Sequence, residues 1–181
     1  MKITSKIRIV FVLALSIFCM NNGFAQQKSA PNYDQGFRLG FGINGGYAFQ
    51  DPYGLALGAD ARLQYDLSKR YSVAVTSGFS NLFVKGKNND LGFIPVKLGF
   101  KAFVWNDEFY VLGEGGAAFP VTNNYKKNSV IIAPGIGYAT KIIDVSLRYE
   151  HYSDFPVIKN DGTIGQGMGQ LSLRLAYGFK L

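Results

Sequence analysis

Gln170-Leu171-Ser172-Leu173-Arg174-Leu175-Ala176-Tyr177-Gly178-Phe179-Lys180-Leu181 alternates without interruption. Leu171, Leu173, Leu175, Tyr177 and Phe179 fall at one parity, and Gln170, Ser172, Arg174, Ala176 and Lys180 at the other. Side chains two residues apart share a face of a β-strand, so the segment reads as a strand with one bulky apolar face and one face that carries charge in its middle. A soluble sandwich would bury the apolar set. The opposite set, charged at mid-strand, needs an explanation of its own.

The same pattern runs back to Phe37 and marks eight strands. Phe37 to Phe49 sets Phe37, Leu39, Phe41, Ile43, Tyr47 and Phe49 against Arg38, Gly40, Gly42, Asn44 and Gly46. Leu55 to Leu67 sets Leu55, Leu57, Leu63, Tyr65 and Leu67 against Asp60, Arg62, Gln64 and Asp66. Tyr71 to Phe79, Ile94 to Lys101, Phe109 to Phe119 and Val130 to Tyr138 follow with weaker contrast. Ile143 to Glu150 restores it, with Ile143, Val145, Leu147 and Tyr149 opposite Asp144, Ser146, Arg148 and Glu150. Pro95 and Pro134 each remove a ladder donor, which predicts a bulge or a local opening there. Charges of both signs on one face cannot point at lipid, so they point inward and the apolar face points out.

The links between strands carry independent information. Ser68-Lys69-Arg70, Asn106-Asp107-Glu108 and Thr140-Lys141 are tight, whereas Asn81 to Asp90, Pro120 to Asn128 and Ser153 to Gly167 are longer and polar. Alternating short and long links is the habit of outer-membrane barrels; Gln50 to Gly54, which is short, fits less well. Phe37, Tyr65, Tyr71, Trp105, Phe109, Tyr138, Tyr177 and Phe179 gather near the short links, and Tyr47, Phe49, Phe79 and Phe119 near the long ones. Two such belts are the interfacial girdles that amphipathic rings favour. The fold expected is all-β: an eight-stranded antiparallel up-and-down barrel spanning a membrane, with a filled polar interior, over residues 37–181.

Residues 1–25 stand apart. Lys2, Lys6 and Arg8 make a basic start, Ile9 to Met20 an apolar core, and Gly23-Phe24-Ala25 a small-x-small cleavage signal, the three parts of a secretory signal peptide. The apolar core is too short for a spanning helix, which needs about 20 apolar residues. Cleavage after Ala25 would start the mature chain at Gln26, with residues 26–36 as a flexible periplasmic lead-in. It would also lower the net charge from +7 to +4 and remove Cys19, the single cysteine. No disulfide framework or thiolate chemistry follows. The remaining Lys and Arg are scattered along strands rather than clustered, so no nucleic-acid partner is expected.

From these features the chain resembles the small eight-stranded outer-membrane barrels of the OmpA and OmpX type, the outer membrane protein β-barrel domain. The resemblance covers residues 37–181 and includes the closing Tyr177-x-Phe179-x-Leu181, which looks like the signal read by the barrel-insertion machinery, although many members end in Phe where this chain has Leu181. It implies a monomer in the outer membrane of a Gram-negative-type envelope, in contact with outer-membrane lipid and lipopolysaccharide.

Few constellations suggest chemistry. Arg38, Asp60, Arg62, Asp66, Lys97, Lys101, Glu114, Asp144, Arg148, Glu150, Arg174 and Lys180 all fall at inward positions. A lumen of eight strands is only wide enough for side chains to fill, so these groups read as a paired core rather than an ion path. Gly40-x-Gly42-x-x-Gly45 matches a dinucleotide fingerprint by letter but lacks the following helix that would hold a pyrophosphate. With one histidine, no metal site is expected, and no cofactor. Lys85, Lys87, Lys126 and Lys127 lie in long links and carry charge suited to lipopolysaccharide phosphates.

His151-Tyr152-Ser153 is the remaining candidate. Alternation puts His151 and Ser153 on one face at the outer end of the seventh strand, which looks like the His-x-Ser of the lipid A deacylases, barrels with a lipid-facing serine hydrolase site. Asp154 stands where that family has Asn, and no glutamate follows Glu150 to orient the imidazole as a triad carboxylate does. The expectation is therefore a non-catalytic envelope protein with a structural or loop-mediated interaction role. The alternatives are a lipid A deacylase-like hydrolase using His151 and Ser153, and a soluble periplasmic ligand-binding barrel, which would have an apolar lumen.

Overall fold

A computed structural model describes residues 35–86, 90–105, 108–122, 127–158 and 162–181. The expected signal peptide and cleavage after Ala25, nearly all of the expected lead-in, Lys87, Lys126 and the turn residues Asn89, Asn106, Asp107, Asn160 and Asp161 lie outside the described residues.

Eight strands follow in chain order: β1 (Gly36–Ala48), β2 (Tyr53–Asp66), β3 (Tyr71–Val84), β4 (Leu91–Trp105), β5 (Phe109–Pro120), β6 (Ser129–Ala139), β7 (Ile143–Ile158) and β8 (Ile164–Lys180). Each pairs antiparallel with its neighbours in sequence, and β1 closes on β8. Closure gives every strand two partners and leaves no edge. At mid-height Ile43 lies opposite Leu175 on one side and Ala59 on the other.

The faces divide as the alternation requires. Phe41, Ile43, Leu98 and Ile136 are 55%, 65%, 68% and 60% exposed, while Lys101, Arg148 and Arg174, at the opposite parity, are each 1% exposed. Bulky inward side chains need glycine facing them: a Cβ on Gly42 would strike the Arg174 guanidinium, and one on Gly137 would enter the Tyr110 ring.

Several elements run further than the sequence pattern suggests. β3 continues through Asn81 to Val84, β4 begins at Leu91, β7 continues to Ile158 and β8 begins at Ile164. The long links shrink accordingly, and Asp154 belongs to β7 rather than to a loop. The pattern faded at these ends because the inward positions there turn apolar and the two faces lose their contrast. β7 has 16 residues, about 50 Å of strand; at a tilt near 40° it rises about 40 Å, beyond an apolar band of about 25 Å.

The prolines open the ladders without shifting them. β3–β4 pairing stops after Ser77↔Val96 and resumes at Ser80↔Phe93 in the same register, skipping Pro95. β6–β7 pairing likewise passes from Ile132↔His151 to Gly135↔Arg148 across Pro134. A true shift of register occurs in β7–β8 between Tyr152 and Pro156, opposite Gly167, whose φ is +100°, a conformation that favours glycine.

Candidate functional site

The barrel interior is built from the inward parity of all eight strands. Glu114 on β5 lies at its centre: Arg62 donates from Nη2 to Oε1 at 2.5 Å, Arg148 from Nη1 to Oε2 at 3.0 Å, and Lys97 Nζ lies 3.2 Å from Oε2. Lys97 also donates to Glu150 at 2.8 Å, and the Tyr152 hydroxyl donates to the same carboxylate at 2.9 Å. Arg174 grips Asp60 with Nε at 2.9 Å from both oxygens and Nη2 at 2.5 Å from Oδ1. Lys101 and the Tyr110 hydroxyl both donate to Asp144, Lys101 also lying over the Tyr110 ring. Arg38 pairs with Asp66 at 2.7 Å towards the short-turn end.

Of the twelve charged residues expected inside, eleven join these pairs. Lys180 lies at the end of β8, where it is exposed rather than packed in the lumen. Pairing does not make such groups strongly stabilising in sum, because desolvation offsets the attraction, but it makes removal of one partner costly.

Sequence reasoning missed the second compartment. Above the charges, at the end nearer the longer links, Tyr53, Leu82, Leu91, Phe93, Ile131, Phe155, Val157 and Met168 form an apolar cluster with Tyr152. Phe93 meets Tyr152 and Phe155 edge-on at 5.4 and 5.3 Å between centroids, and Tyr152 stacks on Phe155 at 5.1 Å. Most of these residues lie at or beyond the strand ends that the alternation predicts, and the inward parity of Leu82 and Phe93 is the available signal. The interior is thus a charged lower part under an aromatic plug.

His151 and Ser153 are separated by the β7–β8 irregularity. Tyr152, Phe155 and Val157 are all buried, so alternation breaks between 152 and 155 and no longer places Ser153 on the His151 face by parity. Among the described residues no hydrogen bond joins His151 to Ser153. The His151 ring and the Ser153 carbonyl oxygen, not its hydroxyl, both approach Gly167. Of the carboxylates near in sequence, Glu150 points into the lumen network, and Asp154 pairs with Lys127 at 2.6 Å. Among the described residues no group of three or more His, Cys, Asp or Glu is placed to hold a metal.

The described loop lysines are also engaged. Lys85 donates to Asp51 at 3.1 Å, and that bond holds its ammonium pKa above the usual lysine range. On the outer face of the wall a shallow depression of about 700 Å³ is lined mainly by the apolar Phe41, Ile43, Ala59, Ala61, Leu175 and Tyr177.

No family model matches the sequence, and no curated protein matches it. Solved structures do. The N-terminal β-barrel domain of Pseudomonas aeruginosa OprF superposes with a TM-score of 0.57 at 10% identity, over 81% of this chain and 100% of that one. Ail, the attachment invasion locus protein of Yersinia pestis, superposes with a TM-score of 0.51 at 16% identity, over 81% of this chain and 100% of that one. At these identities the likeness is one of fold: the chain has the closed eight-stranded antiparallel architecture of the small outer-membrane β-barrels.

Proposed function

We propose that this chain is an integral outer-membrane protein, a sealed monomeric barrel with no catalytic activity, whose role is structural or is carried by its loops. The observation that carries this reading is the inverted distribution of polarity: an exposed apolar belt around the whole wall, and a lumen filled by ion pairs beneath an aromatic plug. An apolar exterior of this extent is unsuited to water, which weighs against the soluble periplasmic barrel even though part of the lumen is apolar. The belt is matched to hydrocarbon and lipid, including lipopolysaccharide in the outer leaflet. Secretion with removal of residues 1–25, and insertion through Tyr177, Phe179 and Leu181, complete the proposal.

The hydrolase reading is disfavoured because a serine nucleophile needs a base within hydrogen-bond reach and a group orienting that base, and His151, Ser153, Glu150 and Asp154 are otherwise arranged. The test is membrane fractionation followed by gel migration with and without boiling. The expected result is a membrane-bound protein whose migration changes on heating, as a detergent-resistant barrel does; a soluble protein with unchanged migration overturns the proposal.

A further inference from the structure

Among the described residues the two ends of the barrel treat their cations differently. At the end with the longer links, Lys85 is held by Asp51 and Lys127 by Asp154. At the short-turn end, Lys69 and Arg70 in the β2–β3 turn and Lys141 in the β6–β7 turn are exposed, and among the described residues no acid pairs with them. The acids described at that end are committed elsewhere: Asp66 to Arg38, Asp144 to Lys101, and Glu108 to the hydroxyl of Tyr138 at 2.7 Å.

Directly beside these turns stand three aromatic pairs. Phe37 and Tyr65 lie 4.8 Å apart, Tyr71 and Phe100 5.7 Å, and Phe109 and Tyr138 4.8 Å. Aromatic rings collect at the level of lipid headgroups, so a cation one to three residues beyond them, as Arg70 and Lys69 are beyond Tyr71 and Lys141 beyond Tyr138, lies at phosphate depth. Since β2–β3 and β6–β7 are on opposite sides of an eight-stranded ring, the cations serve different lipids rather than one pocket.

Resting on the reading of the chain as a membrane barrel, we propose that Lys69, Arg70 and Lys141 form a rim that selects anionic phospholipid headgroups in the leaflet bordering the short turns. The paired lysines at the other end do not contribute to that selection. A free ammonium or guanidinium donates charge-assisted hydrogen bonds to a phosphate, and one cation near an anionic surface is worth about a fivefold preference.

The full mature chain is reconstituted in nanodiscs of phosphatidylcholine alone and of equal phosphatidylcholine and phosphatidylglycerol, and the lipids that remain bound are counted by native mass spectrometry. The expected result is at least about fivefold retention of phosphatidylglycerol over phosphatidylcholine. That preference should be lost in K69Q/R70Q/K141Q and kept in K85Q/K127Q. It should also be lost for the unmodified chain in about 1 M salt, where screening acts within about 3 Å, a result that stands even where the triple variant does not fold. Equal retention of the two lipids, persistence of the preference in the triple variant or in salt, or its loss in K85Q/K127Q overturns the inference while leaving the barrel reading intact. Failure to insert into either nanodisc overturns the barrel reading, and this inference with it.

Discussion

On the reading of the chain as a membrane barrel, Leu173→Arg places a charge against hydrocarbon close to mid-height of the wall. Leu173 is 54% exposed, lies between Leu147 on β7 and Gly45 on β1, and is one outward position from Leu175, which is opposite the mid-height Ile43. An arginine near the middle of the hydrocarbon costs a barrel about 2–4 kcal/mol, falling to near zero at the interface; at about 1.4 kcal/mol per decade this is about 30- to 1000-fold in the folding equilibrium. Its neighbour gives the contrast. Arg174→Leu strands the buried Asp60 carboxylate with Asn44, 3.2 Å away, as its remaining hydrogen-bond donor, and breaking a buried pair in this way costs about 3–5 kcal/mol. Both variants should lower the denaturant midpoint of refolding into vesicles. Only Leu173→Arg should become milder as the acyl chains shorten, because a thinner bilayer brings residue 173 closer to the headgroups. A Leu173→Arg variant as stable as the parent at every chain length, together with a stabilised Arg174→Leu, would mean that the two faces are reversed.

Intact-mass analysis of protein from the envelope should show a chain beginning at Gln26; retention of Met1 or Lys2 would refute the signal-peptide reading. Reconstituted protein should give no steady porin-like current in planar bilayers, because Arg62, Glu114 and Arg148 fill the lower lumen and Phe93, Tyr152 and Phe155 close the upper part; a reproducible large open state would refute the sealed interior. Phe155→Ala, which removes the ring stacked on Tyr152, should cost about 3–5 kcal/mol in the same refolding assay, and a loss below about 1 kcal/mol would show that the plug is not a packed unit. Purified folded protein should leave lipid A fully acylated as read by mass spectrometry, and loss of an acyl chain that disappears in both His151→Ala and Ser153→Ala would restore the hydrolase.

How much could be read from the chain varied with the contrast between its two parities. In Phe37–Phe49 and Gln170–Leu181 the inward residues are charged or small and the outward ones bulky, so strand, face and barrel followed from period two alone. Towards the upper ends of β3, β4 and β7 the inward positions Leu82, Phe93 and Phe155 are apolar too, so these residues read as strand margins in the sequence although they form the plug. The His151-Tyr152-Ser153 spacing suggested a shared face, but alternation holds only while the ladder keeps its register, and the irregularity after Tyr152 depends on how β8 presents Gly167 to β7.

Strand number, inward and outward faces and the charged character of the lower lumen were determined by sequence, because each follows from residues two apart along the strands. Which charges meet was decided by tertiary structure. Arg62 and Glu114 are 52 residues apart and Arg174 and Asp60 are 114 apart, and such partners are set by the stagger between strands on opposite walls of a closed ring, a quantity that no single strand encodes.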